Sequence, residues 1–399
     1  MKTARKRIGV VVTTISDGQF LSAFADAIDR HGGRDDIGLY VVGDLNTPAA
    51  CQDAARRMAA DGYDCRYLDA AAQDAFLAPF PVLQQGIPYR SDNRRNVGYL
   101  MALRDGSDVV ISVDDDNLPR ADSDFFGQHA RTGDYRQLPT LAGARRWANI
   151  CSLLDMRGRE DEPVRVYPRG YPYSARGDDR TRRDEATSAG ISGINVGLWT
   201  GDPDIDAPTR LVTACRAELA TPHACFLGDG QRTPITSQNT SIVREAVPAY
   251  YFWRMGQGVG GMKLDRYGDM FSGYCAALCA EAVGHRVSVG TPYVNQARNE
   301  HNLYKDVWNE LAGMVLIDDM RELIETPLSP ASRYDEAYLE LIERFLEWSS
   351  THRGYLWDTQ FSGVMRDSAA LMRAWVDACR ALAPADALRA RRHDGETAC

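Results

Sequence analysis

Positive charge is in deficit: 46 Lys and Arg face 55 Asp and Glu, for a formal net charge of −9. A surface that grips nucleic acid or anionic lipid needs a basic excess to displace counterions, so neither partner is expected. Any phosphate bound here must be met locally, by a metal ion or a few arginines. No apolar run has the length of a membrane span. The first, Ile8 to Val12, follows the basic MKTARKR and is too short even for the core of a signal sequence. It reads as a buried strand, and the protein as cytoplasmic. The nine cysteines (Cys51, Cys65, Cys151, Cys215, Cys225, Cys275, Cys279, Cys379 and Cys399) are odd in number and lack a CxxC pair or a His cluster. Reduced, packed thiols are expected, with no zinc site. Low-complexity blocks are missing too, and 44% hydrophobic with 25% charged residues is an ordinary globular balance.

Over the first 120 residues, apolar runs alternate with helical periodicity, the pattern of a βαβ sheet. The expected strands are Ile8 to Thr14, Ile37 to Gly43, Cys65 to Leu68 and Val109 to Val113. Phe20, Phe24 and Ile28 fall at helical spacing, and Val97 to Leu103 reads as a helix. Arg157 to Ala189 is rich in Arg, Asp, Gly and Pro without a period and reads as a long loop. Near the end, Tyr338, Leu341, Ile342 and Phe345 form one helical stripe, and Leu371, Trp375, Cys379 and Leu382 another. The expected division is a catalytic region over 1–310, a helical region over 311–384 and a disordered tail over 385–399.

The residues with most chemical content follow the fourth strand, where Val113 runs into Asp114, Asp115 and Asp116. Three carboxylates at a strand's C-terminal end repel one another unless a cation sits among them, and open α/β sheets bind ligands at that end. Asp114 and Asp116 are the candidate ligands of Mn2+ or Mg2+, the ions that oxygen donors and a diphosphate favour. Thr13 and Thr14 end the first strand. Asp44 ends the second, where a carboxylate can accept from a base or ribose; read alone such a residue is more often a turn residue. Asp92, Arg94 and Arg95 open a helix, a place suited to phosphate. Further on lie RGYPYSAR (169–176), GLW (197–199), Asp202, Asp204 and Asp206, and DRYGDM (265–270), which put arginines, carboxylates and aromatic faces in one half of the chain.

These motifs, in this order, resemble the reversibly glycosylated polypeptides, the UDP-arabinopyranose mutases of glycosyltransferase family 75. VDDD matches the family's strand end. RGYPYSAR is similar to RGYPFSLR, GLWTGDPDIDAPTRL to GLWxNxPDYDAPTQ, and DRYGDMFSGYC to GRYDDMWAGWC. The resemblance implies an α/β, GT-A-like nucleotide-sugar-binding fold, a Rossmann-like mixed sheet with a C-terminal helical region. It also implies a UDP-sugar ligand, a divalent cation and assembly into homo-oligomers. Asp114, Asp115 and Trp199 then belong to the nucleotide-sugar site, Arg169 matches the family's self-glycosylated arginine, and Arg176 its second functional arginine. Two positions depart. The family's PYIWH, whose His is a candidate metal ligand, is Pro292 to Gln296 here, which leaves His301 as the candidate third metal ligand; and the first Asp of RYDDMW is Gly268.

Two activities follow from the resemblance, self-transfer of a sugar onto Arg169 and interconversion of pyranose and furanose rings. The departures favour the first, with UDP-glucose as donor and UDP-arabinose the substrate of the alternative; a nucleotide-sugar-binding scaffold without turnover is a third reading. An attacking guanidinium must lose a proton, which at pH 7 costs roughly 8 kcal/mol for a group with a pKa of about 13. Asp204, Asp206 and Asp269 are the candidate bases, and Arg169 is expected on a movable, Gly- and Pro-flanked mount.

Overall fold

The computed structural model describes residues 5–391 apart from 32, 179, 221–223, 299–301 and 355–360. Strands β1 (Ile8–Thr14), β2 (Ile37–Gly43), β3 (Asp64–Leu68) and β4 (Val109–Val113) lie parallel in the order β3-β2-β1-β4. Their near-continuous Val, Ile and Leu content is what a strand covered on both faces requires, and β2 and β4 are buried throughout. The chain leaves β1 for β2 and β3 on one side and reaches β4 on the other. The C-terminal ends of β1 and β4 therefore flank a topological switch point.

The remaining strands extend the sheet. They are β5 (Asn117–Pro119), β6 (Tyr135–Ala142), β7 (Asp155–Gly158), β8 (Arg182–Gly201), β9 (Cys215–Glu218), β10 (Cys225–Leu227), β11 (Asn239–Val243), β12 (Gln257–Val259), β13 (Met262–Leu264) and β14 (Arg286–Gln296). All but β12 and β13, which form a separate ribbon, join one twelve-stranded sheet. β11 runs antiparallel to β4, which turns the parallel half into a mixed sheet, and β14 runs antiparallel to the short β5 that follows the three aspartates. Helix Arg95–Arg104 sits close on the parallel half: a Cβ at Gly98 would lie 2.4 Å from Val11 Cγ1. That approach brings Arg95 beneath the strand ends.

Three expectations need correction. The stretch 157–189 is not one loop, because β7 takes in Arg157 and Gly158 and β8 begins at Arg182. The first residues of β8 pair with β6 while remaining mostly exposed, so the strand carries no apolar signal there. The boundary at 310/311 falls inside helix Leu303–Asp319. The start of the tail is packed, not frayed: Leu388 is buried, and Arg391 reaches Glu245 at 3.3 Å. The two C-terminal stripes do form helices, Tyr334–Thr351 and Ser362–Leu382, and Trp375 Nε1 donates to the Val247 carbonyl at 3.0 Å. The eight described cysteines are free, and no helix among the described residues is long and apolar enough to cross a membrane.

Candidate active site

Two adjoining clefts open at the C-terminal ends of β1, β2 and β4. The first, of about 830 Å³, is lined by Asp114, Asp115, Asp116, Arg95, Arg169, Asp204 and Asp269 among others. The second, of about 780 Å³, is lined by Thr14, Val42, Asp44, Arg90, Ser91 and Arg94. Thr13, Asp92 and Asp115 border both. A charged compartment thus continues into a more apolar one, a form that suits a ligand with an anionic middle and a flat, less polar end.

In the less polar cleft Asp44 Oδ1 accepts from Leu45 N at 2.6 Å and its Oδ2 from Ser91 N at 3.2 Å, fixing the cleft's rim. Arg94 is held under that rim: Nε donates to Gln73 Oε1 at 2.7 Å, Nη1 to the Ile87 carbonyl at 3.1 Å, and its guanidinium lies 3.9 Å from the Tyr89 ring centre. Among the described residues Asp44 accepts two hydrogen bonds, and if the cleft takes the UDP-sugar that the resemblance implies, Asp44→Ala is expected to weaken UDP binding about tenfold while shifting unfolding free energy by no more than about 1 kcal/mol. Calorimetric titration with UDP beside urea denaturation checks this; equal losses in both would make Asp44 a turn residue only.

At the strand ends the carboxylates are treated unequally. Asp114 is paired with Arg95, whose buried guanidinium also donates to Thr13 Oγ1 at 2.8 Å, Ser112 Oγ at 2.9 Å and the Ser237 carbonyl at 3.0 Å. Asp115 accepts from Thr14 Oγ1 at 2.6 Å. Asp116 accepts from Asn117 Nδ2 at 2.8 Å but meets no cationic side chain among the described residues; burial and the charges of Asp114 and Asp115 push its carboxyl up to about 7. Asp92, open to the cleft's mouth, is pushed up to about 6 by desolvation within the cleft and by Asp269 and Asp265.

On the facing wall Arg169 is buried at 6% exposure with its guanidinium fully engaged. Nε and Nη2 donate to Asp204 at 2.9 and 3.2 Å, Nη2 also to Asp269 Oδ2 at 3.2 Å, and Nη1 to the Arg266 carbonyl and Asp269 Oδ1. Its own N–H donates to the Asp204 carbonyl at 2.9 Å. Burial opposes the charge, but Asp204 and Asp269 outweigh it and hold the proton well above the usual arginine range. The movable mount expected for Arg169 is therefore a pinned one.

The rest of the expected constellation divides. Asp204 and Asp269 reach the cleft. Arg176 and Asp206 line neither cleft; they pair at 2.5 Å, and Asp206 caps helix Ala207–Val212 by accepting from Thr209 N at 2.8 Å. Asp206→Ala is expected to cost about 3 kcal/mol, since it strands a partly buried arginine and uncaps a helix, and to leave UDP affinity unchanged; urea denaturation and UDP titration separate the two effects. Trp199 is 2% exposed within β8 and lines neither cleft, a core side chain and not a sugar platform. Tyr171 is buried beside Trp147, and Tyr173 bonds Asp206 at 2.8 Å. His301 lies outside the described residues. At Gly268 a Cβ would lie 2.5 Å from the Trp253 carbonyl and 2.6 Å from Phe252, so the departure from RYDDMW goes with tight packing there.

Arg95, read from the sequence as a phosphate-side arginine at a helix start, lines the charged cleft, and so do Arg266, Gln296 and Arg298, which the sequence did not single out as site residues. Arg298 is held by Asp306 at 3.3 Å, and Arg266 by Glu310 at 3.0 Å. The only signal for these three was that Arg266 lies within DRYGDM, Gln296 ends the segment 292–296 and Arg298 follows it by two positions.

A cation fits in a restricted way. Among the described residues no three His, Cys, Asp or Glu side chains form a metal cage. Asp116, uncompensated at the cleft wall, suits an ion that takes one or two protein carboxylates and completes its shell with substrate phosphate and water.

A family model described as reversibly glycosylated polypeptide matches residues 59–384. UDP-arabinopyranose mutase 3 of Arabidopsis thaliana is 28% identical over 179 residues, covering 44% of this chain and 45% of that protein. Probable UDP-arabinopyranose mutase 2 of Solanum tuberosum is 29% identical over 189 residues, 46% and 48% of the two chains. The chain spans about half the length of the curated relatives it matches. Among solved structures, the mannosyltransferase PcManGT from Pyrobaculum calidifontis, in complex with GDP-Man and Mn2+, is 12% identical with a TM-score of 0.39, covering 96% of this chain and 88% of that one. S. aureus TarS 1–349 in complex with UDP-GlcNAc is 11% identical with a TM-score of 0.40, covering 94% and 90%.

Proposed function

The chain belongs to the reversibly glycosylated polypeptide family, and from that premise we propose that it takes a UDP-sugar into the two joined clefts and reversibly breaks the bond between the sugar's anomeric carbon and the diphosphate, acting as a pyranose–furanose mutase. The observation that carries this reading is the continuity of the clefts: Asp44 on the nucleoside side, then Thr13, Asp92 and Asp115 at the junction, then Asp116, Arg95 and Arg169 around the charged compartment. The relatives' names make UDP-arabinopyranose the first substrate to try.

In this reading Asp116 would hold Mn2+ or Mg2+, and the bound ion supplies charge neutralisation for the diphosphate. The other roles fall to the chain. Arg95 fixes Asp114 and places positive charge beside the leaving oxygen. Asp44 and Ser91 orient the nucleoside. Ring exchange requires a proton delivered to the departing ring oxygen and one withdrawn from the attacking hydroxyl. Asp92, at the junction and pushed up to about 6, suits that exchange near neutral pH. Asp204 and Asp269 hold Arg169 as a fixed cation on the sugar side.

Transfer of the sugar onto Arg169 is the second reading. What favours it is that Arg169 lines the same cleft as the three aspartates. What weighs against it is the protonation cost, roughly 8 kcal/mol for a free guanidinium and greater for one held by two carboxylates. Incubation with UDP-arabinopyranose or UDP-glucose and Mn2+, followed by chromatography of the nucleotide-sugar and intact-mass measurement, decides. The mutase reading expects UDP-arabinofuranose and no lasting adduct. A stoichiometric pentose from UDP-arabinopyranose or hexose from UDP-glucose, mapped between Tyr167 and Arg176 and absent in Arg169→Ala, would establish self-transfer, and neither product would leave a binding scaffold.

A further inference from the structure

Gln296, the last residue of β14, is 4% exposed and lines the charged cleft, and its Oε1 has no hydrogen-bond partner among the described residues. A buried amide oxygen left unmet calls for a donor or a cation in the cleft. Its surroundings discriminate between the two. Gln296 pairs with Asn117 across β14 and β5, and directly opposed antiparallel residues project to the same face. Asn117 is fully buried; its Nδ2 donates to Asp116 Oδ1 at 2.8 Å, and its own Oδ1 is a second acceptor without a partner among the described residues. The next residue, Ala297, donates its N–H to the Asp116 carbonyl at 3.0 Å, clamping the end of β14 to the aspartate turn. Two amide oxygens without a partner among the described residues thus stand on opposed strand ends, and Gln296 lines the same cleft as the Asp116 carboxylate, a group of acceptors in want of positive charge. Hard divalent cations are bound by such oxygen sets.

We infer that Gln296 Oε1 joins Asp116 in an oxygen-only site for a divalent cation at the cleft wall. This rests on the reading of the cleft as a UDP-sugar site, and it deepens that reading by naming the ligand that stands where the resembled family's PYIWH has its histidine. An amide oxygen in place of an imidazole removes the ligand that favours later transition ions, so Mg2+ should compete with Mn2+ more evenly than it would at a histidine-containing site.

The test titrates the full chain with Mn2+ in the presence of UDP, follows it by electron paramagnetic resonance, and uses Mg2+ as competitor. Wild type should bind Mn2+ without a nitrogen hyperfine coupling. Gln296→His should introduce a ¹⁴N coupling and raise the Mg2+ excess needed to displace Mn2+ by about tenfold. Gln296→Leu should weaken both ions by about tenfold or more while leaving metal-free UDP binding unchanged. A nitrogen coupling in wild type, its absence in Gln296→His, or undiminished Mn2+ affinity in Gln296→Leu each overturns the inference while the proposed function stands. Failure of wild type with UDP to bind any Mn2+ overturns the inference together with the cation's part in that function.

Discussion

Asp116→Asn is expected to reduce turnover of a UDP-sugar by about 10²–10³-fold, the loss typical when one electrostatic group at a reacting centre is removed, and to leave the metal-free protein no less stable than wild type. The two halves of this result have one cause. Asp116 is pushed up to about 7 by burial and by its two neighbours, so the fold is strained by its charge. A carboxyl raised in the folded state contributes stability that is fully present below its unfolded pKa of about 4 and lost as pH rises through about 7. The variant carries no such charge, so in the absence of divalent ions its stability should exceed that of wild type by a margin that grows from pH 4 to about pH 7 and then levels off. Asp114→Ala should behave otherwise, because it strands the buried Arg95 guanidinium and unfolds more easily at every pH. Urea denaturation of both variants from pH 4 to 8 in EDTA, beside turnover with Mn2+, reads the contrast. Equal destabilisation by the two substitutions would show that Asp116 is a structural partner and no cation site.

Arg169→Ala is expected to cost about 3–5 kcal/mol of stability, the range for removing one member of a buried ionic group. Asp204 and Asp269 are 1% and 5% exposed, and both lose the only cation that bonds their carboxylates directly in the described structure. Arg169→Lys keeps a charge but not the five-donor fork, and should fall between. Replacing Asp204 by Asn in the Arg169→Ala background should recover part of the loss, since one uncompensated carboxylate is gone. If thermal and urea denaturation instead show Arg169→Ala as stable as wild type, the guanidinium is not held in place and transfer onto it gains ground.

The parallel half of the sheet was legible because its strands are buried on both faces. Ile8–Thr14, Ile37–Gly43 and Val109–Val113 stand out as mainly apolar runs, and Thr14 and Gly43 at the ends of the first two and Asp114 just past the third border a cleft. That Asp44 and Asp114 to Asp116 fall at the clefts was legible for the same reason, because topology alone puts strand ends together, whereas Asp92 comes to the junction from the start of a helix. The facing wall was not legible. Arg169 and Arg176 stand seven residues apart in one motif, yet one enters the cleft and the other closes on a helix-capping aspartate. Nothing in sequence spacing tells an arginine bound to Asp204 from one bound to Asp206. Trp199 shows the same limit, because a motif shared with a family records packing as readily as ligand contact, and β8 buries this side chain. Gln296 and Arg298 reach the cleft only because β14 pairs with β5, a contact across more than 170 positions that local pattern does not encode.

The most direct test of the central claim follows the oxygen that joins sugar to diphosphate. UDP-arabinopyranose, and UDP-glucose in parallel, would carry ¹⁸O in the bridge between the anomeric carbon and the β-phosphorus, and be incubated with the full chain and Mn2+. If the enzyme breaks and re-forms the anomeric bond, the β-phosphate turns while free and the label moves into its non-bridging positions, visible as a shifted ³¹P resonance in recovered nucleotide-sugar. The account predicts that migration with at least one of the two substrates, and its loss in Asp116→Asn. A label that stays in the bridge with both, while UDP binding is intact, contradicts it.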